Sequence, residues 1–437
     1  MTTPHEPRPA PSRRDFLFQS AAVAGTAPLF LNLQNTAPIP AAAPGATLRP
    51  GDPIRIGVIG TGGMGTAHCN AFLRLQGQQR FDMRIVALAD VCQSRLESAR
   101  KQCADKQPGQ EVLTYGNYTE LLARKDIHGV LIASPEHWHA KMAEDAILAG
   151  KDVYCEKPMT YHLADALRLW DVVKQNPDRL LQVGTQYIMQ ERYIETQRLI
   201  AAGEIGAPTW SQTSYCRNSK DGEWNYYAID DKWEPGVNLD WESWCGPSGK
   251  APWDPKVYAR WRRYKRYSTG IIGDLLVHQM TPLIMAIDQG WPVRVIASGS
   301  HIIDKAMENH DQVNLTIEFE TGHVMTVAGS TCNEEGMPVM VRGHKATLFL
   351  GSEDVVLRPQ RIFADEVDEQ KIQCKVFRDD QDELRVNWID SIRTRTPNRS
   401  QVELGAKVMV IVDLAARSMW TGKAWSYDPK ARTAQAI

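Results

Sequence analysis

The chain has 437 residues, 43% of them hydrophobic and 23% charged, enough for two or three domains of roughly 150 residues with true apolar cores. Its formal net charge of −2 excludes bulk electrostatic attraction to nucleic acid or to an anionic membrane face, and no apolar run approaches the ~20 residues that span a bilayer. The cysteines are scattered, with no C-x-x-C pair and no His/Cys cluster, which argues against a metal centre and against a disulfide framework.

The N-terminus opens on a segment outside the fold. Residues 12–18 read SRRDFLF. The pair Arg13–Arg14 precedes a short, Ala-rich apolar stretch, Ala21–Leu31, the pattern of a twin-arginine export signal. A Pro/Ala-rich linker follows over 35–53, so residues 1–53 are set apart. With no cysteine here to carry a lipid, the mature chain is expected without a membrane anchor, in the periplasm or another extracytoplasmic space. That route moves folded proteins, which suits a chain that loads a cofactor in the cytoplasm.

Residues 54–60, IRIGVIG, form a continuous apolar run, as in a buried parallel strand. Then come Gly60, Thr61, Gly62, Gly63, Met64 and Gly65, and a helical segment, Thr66–Leu75. Between a strand and a helix this G-x-G-x-x-G turn predicts a dinucleotide site. Gly60 allows the tight turn, Gly62 lets backbone approach a pyrophosphate, and Gly65 lets helix and strand pack. The helix start then aims free N–H groups at the phosphates. The next strand, Met83–Ala89, ends in Asp90, whose carboxylate suits the adenosine ribose hydroxyls and repels a 2′-phosphate, favouring NAD over NADP. Strand and helix patterns keep alternating to Gly184, through Gly129–Ala133 with Ser134 and Pro135 at its end, and through Asp152–Cys155 with Glu156, Lys157 and Pro158 after it. The expected fold is a doubly wound parallel α/β sheet over 54–186.

These motifs together resemble the Gfo/Idh/MocA oxidoreductases. The glycine turn is followed by SPEHWHA at 134–140, EKP at 156–158, VGTQ at 183–186, and a G-x-x-x-D-x-x-x-H segment from Gly270 to His278. The resemblance spans roughly residues 54–425. It implies an α+β second domain over 187–437, built on a large, open, mostly antiparallel sheet whose face forms a homo-oligomer interface, dimeric or tetrameric. The strand-like segments Thr209–Cys216, Arg294–His301, Gln312–Phe319 and His323–Gly329 agree with it. The amphipathic segment Glu403–Trp420 reads as a final helix packing back on the body.

Oxidising a carbinol needs a proton acceptor and a group that steadies the developing alkoxide. Lys157 lies at the carboxyl end of a parallel strand, and in the resembled family this lysine lies beside the nicotinamide and the reacting hydroxyl. Asp274 and His278 would share one helical face, so the carboxylate could orient the imidazole. His278 is assigned as proton acceptor, Lys157 as electrostatic partner with a co-base role as the alternative, and Asp274 as orienting group. The family pattern puts Glu156 at the nicotinamide ribose. His137, His139 and Gln186 are placed near the cofactor, while His137 and His139 diverge too far on a helix to chelate a metal. Residues 210–267 are rich in tryptophan, either to stack on sugar rings or to pack a long loop. Trp253 and Tyr187 are candidates for the substrate pocket. The expected activity is hydride transfer between a sugar, polyol or glycoside carbinol and tightly bound NAD. Alternatives are a redox-neutral glycoside hydrolase, lyase or epimerase of the same fold, and a non-catalytic NAD or sugar sensor.

Overall fold

The computed structural model describes the backbone of residues 30–32 and the chain from residue 38 to residue 437. Arg13, Arg14 and residues 21–29 of the apolar stretch lie outside the described residues. Strand β1 (Phe30–Asn32) pairs antiparallel with a C-terminal strand, Thr433–Ala436. Part of the expected linker is docked: Ala43 N donates to Leu148 O at 2.8 Å, and Ala42 N to Asn176 Oδ1 at 2.6 Å.

The first sheet holds β2 (Ile54–Ile59), β3 (Met83–Ala89), β4 (Leu113–Tyr115), β5 (Gly129–Ile132), β6 (Asp152–Cys155) and β7 (Leu181–Val183), in the order β4-β3-β2-β5-β6-β7. Every pairing is parallel. The chain reverses its direction of travel between β2 and β5, and ligands of such sheets bind at that switch point. Helices α1 (Gly63–Gly77), α2 (Gln93–Lys106), α3 (Tyr118–Leu122), α4 (His139–Leu148) and α5 (Leu163–Gln175) connect the strands. Because helices cover both faces, the strands are apolar throughout: Ile54, Ile56, Val58 and Ile59 are all buried.

After α6 (Glu191–Ala201) the chain builds a twelve-stranded mixed sheet, mostly antiparallel as expected. Its main strands are β8 (Pro208–Asn218), β9 (Pro292–Ser300), β10 (Gln312–Phe319) and β11 (Val324–Ser330), with β8 and β11 parallel. Strand β10 shows the period of two: Val313, Leu315, Ile317 and Phe319 are buried, while Asn314 and Thr316 face out. Between β8 and β9 lie α7 (Trp241–Cys245), α8 (Pro255–Ala259), a π-helical turn (Ile272–Leu276) and α9 (Val277–Ile287).

Helix α10 (Asp380–Thr394) is the element that sequence patterning missed. It returns to the first domain, where Trp388 packs on Phe72 and Tyr154 with ring centroids 6.0 and 5.7 Å apart. Its surface is mixed rather than cleanly amphipathic, since it buries Asp382 and Arg385 beside Trp388 and Ile389. Helix α11 (Val402–Thr421) covers one face of the large sheet through its contacts with β9. Among the described residues no helix is long and apolar enough to cross a membrane.

Candidate active site

One cleft of about 1470 Å³ runs from the glycine turn to the segment joining β8 and β9, past the ends of β2, β3, β5 and β6. That exceeds the roughly 300–1,000 Å³ of a single small-ligand site, as a dinucleotide and a second molecule together require. Gly60 has φ +87°, and a Cβ there would lie 2.7 Å from Ser134 N. A Cβ on Gly65 would lie 1.8 Å from the Gly60 carbonyl oxygen. At Gly63 the same test meets nothing within 4 Å, and at Gly62 only Arg95 Nη1 at 3.5 Å. The turn is therefore closed on its packed side and open on its cleft side, and α1 begins there with no side chain capping its free N–H groups. This cradle fits a dinucleotide pyrophosphate.

Gly60, Gly62, Gly63, Met64, Asp90, Ser134, Pro135, His139, Glu156 and Lys157 line the cleft. Thr61 and Gly65 do not face it. Thr61 instead donates to Asp90 Oδ2 from its amide at 2.6 Å and from Oγ1 at 3.1 Å. Cys92 N donates to Asp90 Oδ1 at 2.8 Å. The carboxylate is thus held at the end of β3. We expect Asp90→Ser to raise NADP affinity relative to NAD by about tenfold or more, since it removes a fixed negative charge from the place of a 2′-phosphate. Titrating both nucleotides checks this; an unchanged ratio contradicts it.

His139 stands between two loops of the cleft, with Nδ1 2.7 Å from Pro158 O and Nε2 2.8 Å from Ser134 O; burial lowers its pKa, and the neutral ring donates to one of these two carbonyls. His137 is turned away from the cleft. Its Nε2 lies 2.9 Å from Trp244 O, and its ring packs on Trp244 and Tyr267. Burial lowers its pKa to about 4. Trp253 likewise packs, edge-on against Trp241 at 5.0 Å, and does not line the cleft. Most of the tryptophan-rich segment is such packing: Trp241, Trp244, Tyr258 and Tyr267 form one cluster, of which Trp241, Trp244 and Tyr258 reach the cleft, as does the nearby Trp261. Gln186 and Tyr187 sit on the turn after β7 and do not line the cleft either. The Tyr187 ring is 5.7 Å from that of His278.

The structure brings Lys157 and Asp274 together. Lys157 Nζ donates to Asp274 Oδ1 at 2.8 Å and to its carbonyl at 2.9 Å. A residue that sequence reasoning missed completes the group: Arg262 Nε donates to the same Oδ1 at 2.7 Å. Burial opposes ionisation of Asp274, but the Arg262 and Lys157 charges hold its carboxyl well below the usual range. Among the described residues no hydrogen bond or ion pair joins Asp274 to His278. The expected contact loses to two full cations, which attract the carboxylate more strongly than a neutral imidazole does. Asp274 therefore orients Lys157. Burial, reinforced by the Lys157 charge, lowers the His278 pKa to about 3, so the imidazole is neutral. Neither His278 nor Asp274 lines the cleft; the His278 ring lies 5.7 Å from that of Tyr187 and 6.1 Å from that of Tyr215.

Glu156 is held from behind. Arg385 Nε donates to His68 Nδ1 at 3.0 Å, which places the His68 proton on Nε2, 2.8 Å from Glu156 Oε1. Arg385 and Arg74 are themselves fixed on Asp382. Burial alone would raise the Glu156 carboxyl, but the His68 hydrogen bond and nearby positive charge hold it at about 2. Glu156 is thus an ionised floor of the cleft. No local pattern announces this chain, since His68 and Arg385 are 317 residues apart; the signal available was a lone histidine on the buried face of α1.

Comparison with known proteins places this geometry. The family model for the Gfo/Idh/MocA oxidoreductase family, NAD-binding Rossmann fold, matches residues 54–185, and the model for that family's C-terminal alpha/beta domain matches 248–426. Inositol 2-dehydrogenase 1 of Saccharopolyspora erythraea is 33% identical over 155 residues, 36% of this chain and 43% of the relative. Inositol 2-dehydrogenase of Gluconacetobacter diazotrophicus is 35% identical over 152 residues, 35% of this chain and 42% of the relative. The chain thus spans less than half the length of these curated relatives. Among solved structures, an NAD binding oxidoreductase from Klebsiella pneumoniae superposes with TM-score 0.64 at 20% identity, covering 85% of this chain and 98% of that one. Levoglucosan dehydrogenase in complex with NADH and levoglucosan gives 0.64 at 16%, covering 85% and 99%. At these identities the superpositions speak to the fold.

Proposed function

The chain belongs to the Gfo/Idh/MocA oxidoreductase family, and from that premise we propose that it transfers a hydride between a sugar, polyol or glycoside carbinol and a retained NAD. The observation that carries this reading is the meeting of Lys157 and the ionised Glu156 in one cleft with the glycine turn, with Asp274 bonded to Lys157 from behind and the neutral His278 close by. Similarity to inositol 2-dehydrogenases and, in fold, to levoglucosan dehydrogenase supports a polyhydroxylated substrate.

The turn over Gly60–Gly65 would hold the pyrophosphate, Asp90 the adenosine ribose, and Glu156 the nicotinamide ribose. Bound nicotinamide supplies the hydride acceptor. Lys157 Nζ, aimed by Asp274, binds the substrate oxygen and steadies negative charge as it develops there. His278, neutral, takes the hydroxyl proton on a ring nitrogen.

Retention of the cofactor has its own support. Residues 235–244 line the cleft beside Asp90 and are strapped to the end of β3. Asp240 N donates to Val91 O at 3.0 Å, and Gln93 N to Asn238 O at 2.9 Å. Arg95 lies over the Trp233 and Tyr258 rings at 5.1 and 4.6 Å. A nucleotide leaving past Asp90 must break this strap. With export through Arg13–Arg14, retention points to a closed redox cycle: one sugar oxidised and another reduced, or one sugar oxidised and re-reduced around an elimination or epimerisation. The open sheet face that exposes Trp210 and Ile296 is the surface proposed for self-association.

We expect protein purified without added NAD to release a near-stoichiometric amount of nucleotide on denaturation, and a screen of sugars and glycosides to reduce that bound nucleotide. Empty protein that works only with abundant NAD supplied would overturn retention. Failure of every sugar to reduce bound nucleotide, with sugar binding intact, would favour the sensor. Aglycone release without net reduction would favour the redox-neutral enzyme.

A further inference from the structure

We propose that the substrate carries a carboxylate, as in a hexuronic acid or its glycoside, and that the outer fork of Arg262 binds it. The inference rests on the hydride-transfer reading above and names its substrate class.

Four arginines crowd residues 260–266, and three are used up within the protein. Arg260 bonds Tyr227 O and Asn225 Oδ1. Arg263 is paired with Asp304 and also donates to Glu223 O. Arg266 is spread over the carbonyls of Ser248, Gly249 and Lys250. Arg262 differs. It lines the cleft, its Nε is committed to Asp274, and among the described residues neither Nη has an acceptor. The plane of the guanidinium is set by the Trp261 ring, 4.2 Å from its central carbon. The side chain retains 21% of its exposure, so the fork is neither paired nor free in bulk water.

Charge around it is unbalanced in the same sense. Asp274 Oδ1 serves both Lys157 and Arg262, one anion against two cations. The ionised Glu156 is turned to the neutral His68, and its charge is answered behind that ring, where Arg385 and Arg74 stand as two cations against Asp382 and Glu156 as two anions. Glu136 accepts from Thr269 N and is pushed by burial to about 8, so it is uncharged at neutral pH. His278 is neutral. An oxidised nicotinamide ring adds positive charge rather than removing it. Two cations that share one buried carboxylate leave one positive charge unanswered, which is costly away from bulk water, and a planar carboxylate accepting two parallel N–H bonds is the partner that a guanidinium fork matches best. The surplus is one charge, which favours a carboxylate over a phosphate dianion. Lys157 and Arg262 reach the same carboxylate oxygen, so the reacting hydroxyl and the anion belong to one sugar ring and not to distant units of a chain.

The test uses the purified chain with its own nucleotide. Binding of glucuronate and galacturonate is measured by calorimetry against glucose and galactose, with glucose 6-phosphate as a further arm, and kcat/KM is taken for each. We expect at least one acid to bind tenfold or more tightly than its neutral counterpart. Arg262→Gln should erase that ratio, and Arg262→Lys should restore it in part, all with nucleotide content unchanged. Neutral sugars bound as well as the acids, glucose 6-phosphate bound best, or a ratio that survives Arg262→Gln would each overturn the inference. If neutral sugars reduce the bound nucleotide and acids do not, the inference fails and the hydride-transfer reading stands. If acids bind as expected but no sugar reduces the nucleotide, the hydride-transfer reading fails instead.

Discussion

Lys157→Ala should lower turnover by ~10²–10⁴-fold, the range for one positioned acid–base or charge-stabilising group, while nucleotide content stays near that of the unaltered chain. The lysine contributes to the cleft from β6, whereas the cradle for the pyrophosphate is built from β2 and α1. Its ammonium is aimed by two bonds to Asp274, so its loss removes the charge proposed to meet the reacting oxygen and leaves Asp274 to Arg262 alone. His278→Ala should cost turnover in the same range by removing the acceptor. Because that imidazole is neutral down to about pH 3, its own titration should not appear as an acid limb near the ordinary histidine value. Single-turnover reduction of the bound nucleotide reads both variants. Either one keeping the rate of the unaltered chain removes its residue from the mechanism.

Gly65→Ala should empty the cofactor site and destabilise the first domain. A Cβ at 1.8 Å from the Gly60 carbonyl oxygen cannot be accommodated by a side chain moving aside, because the obstacle is backbone. The helix must part from the turn that α1 and β2 share, at a cost of about 1–3 kcal/mol, and its free N–H groups then no longer point where Gly62 and Gly63 open. Gly77→Ala is the control. Nothing lies within 4 Å of a Cβ there, so it should be neutral or stabilise by ~0.4–1 kcal/mol. Thermal unfolding and nucleotide released on denaturation measure both. Full occupancy in Gly65→Ala would show that the turn does not cradle the pyrophosphate.

Much of this was legible in the chain because the physics is local. Continuous apolar strands, a glycine turn between strand and helix, and alternation through Gly184 are patterns of neighbours in sequence, and they gave the parallel sheet. The glycines carry their reasons with them, since only sterics decide Gly60 and Gly65. The partners were harder. Asp274 stands one turn before His278, yet its carboxylate goes to Lys157 and to Arg262, because charge outweighs spacing. His137 and Trp253 carry side chains suited to a site, but burial turned both into packing. Helix α10 carries no clean apolar period, because Asp382 and Arg385 are buried on it to fix His68 and, through it, Glu156. Arg262 sat unnoticed among three other arginines, and only their occupied donors set it apart.

On the proposed function, the cleft moves a hydride from a sugar carbinol to a nucleotide that the chain already holds. The direct measurement is to add sugars deuterated at successive carbinol carbons to the purified chain, then denature it and weigh the extracted nucleotide. Deuterium from one carbon position should appear in the nicotinamide, and Lys157→Ala and His278→Ala, still loaded, should show little of it on the same timescale. Turnover of the sugar with no label in the nucleotide from any position would contradict it.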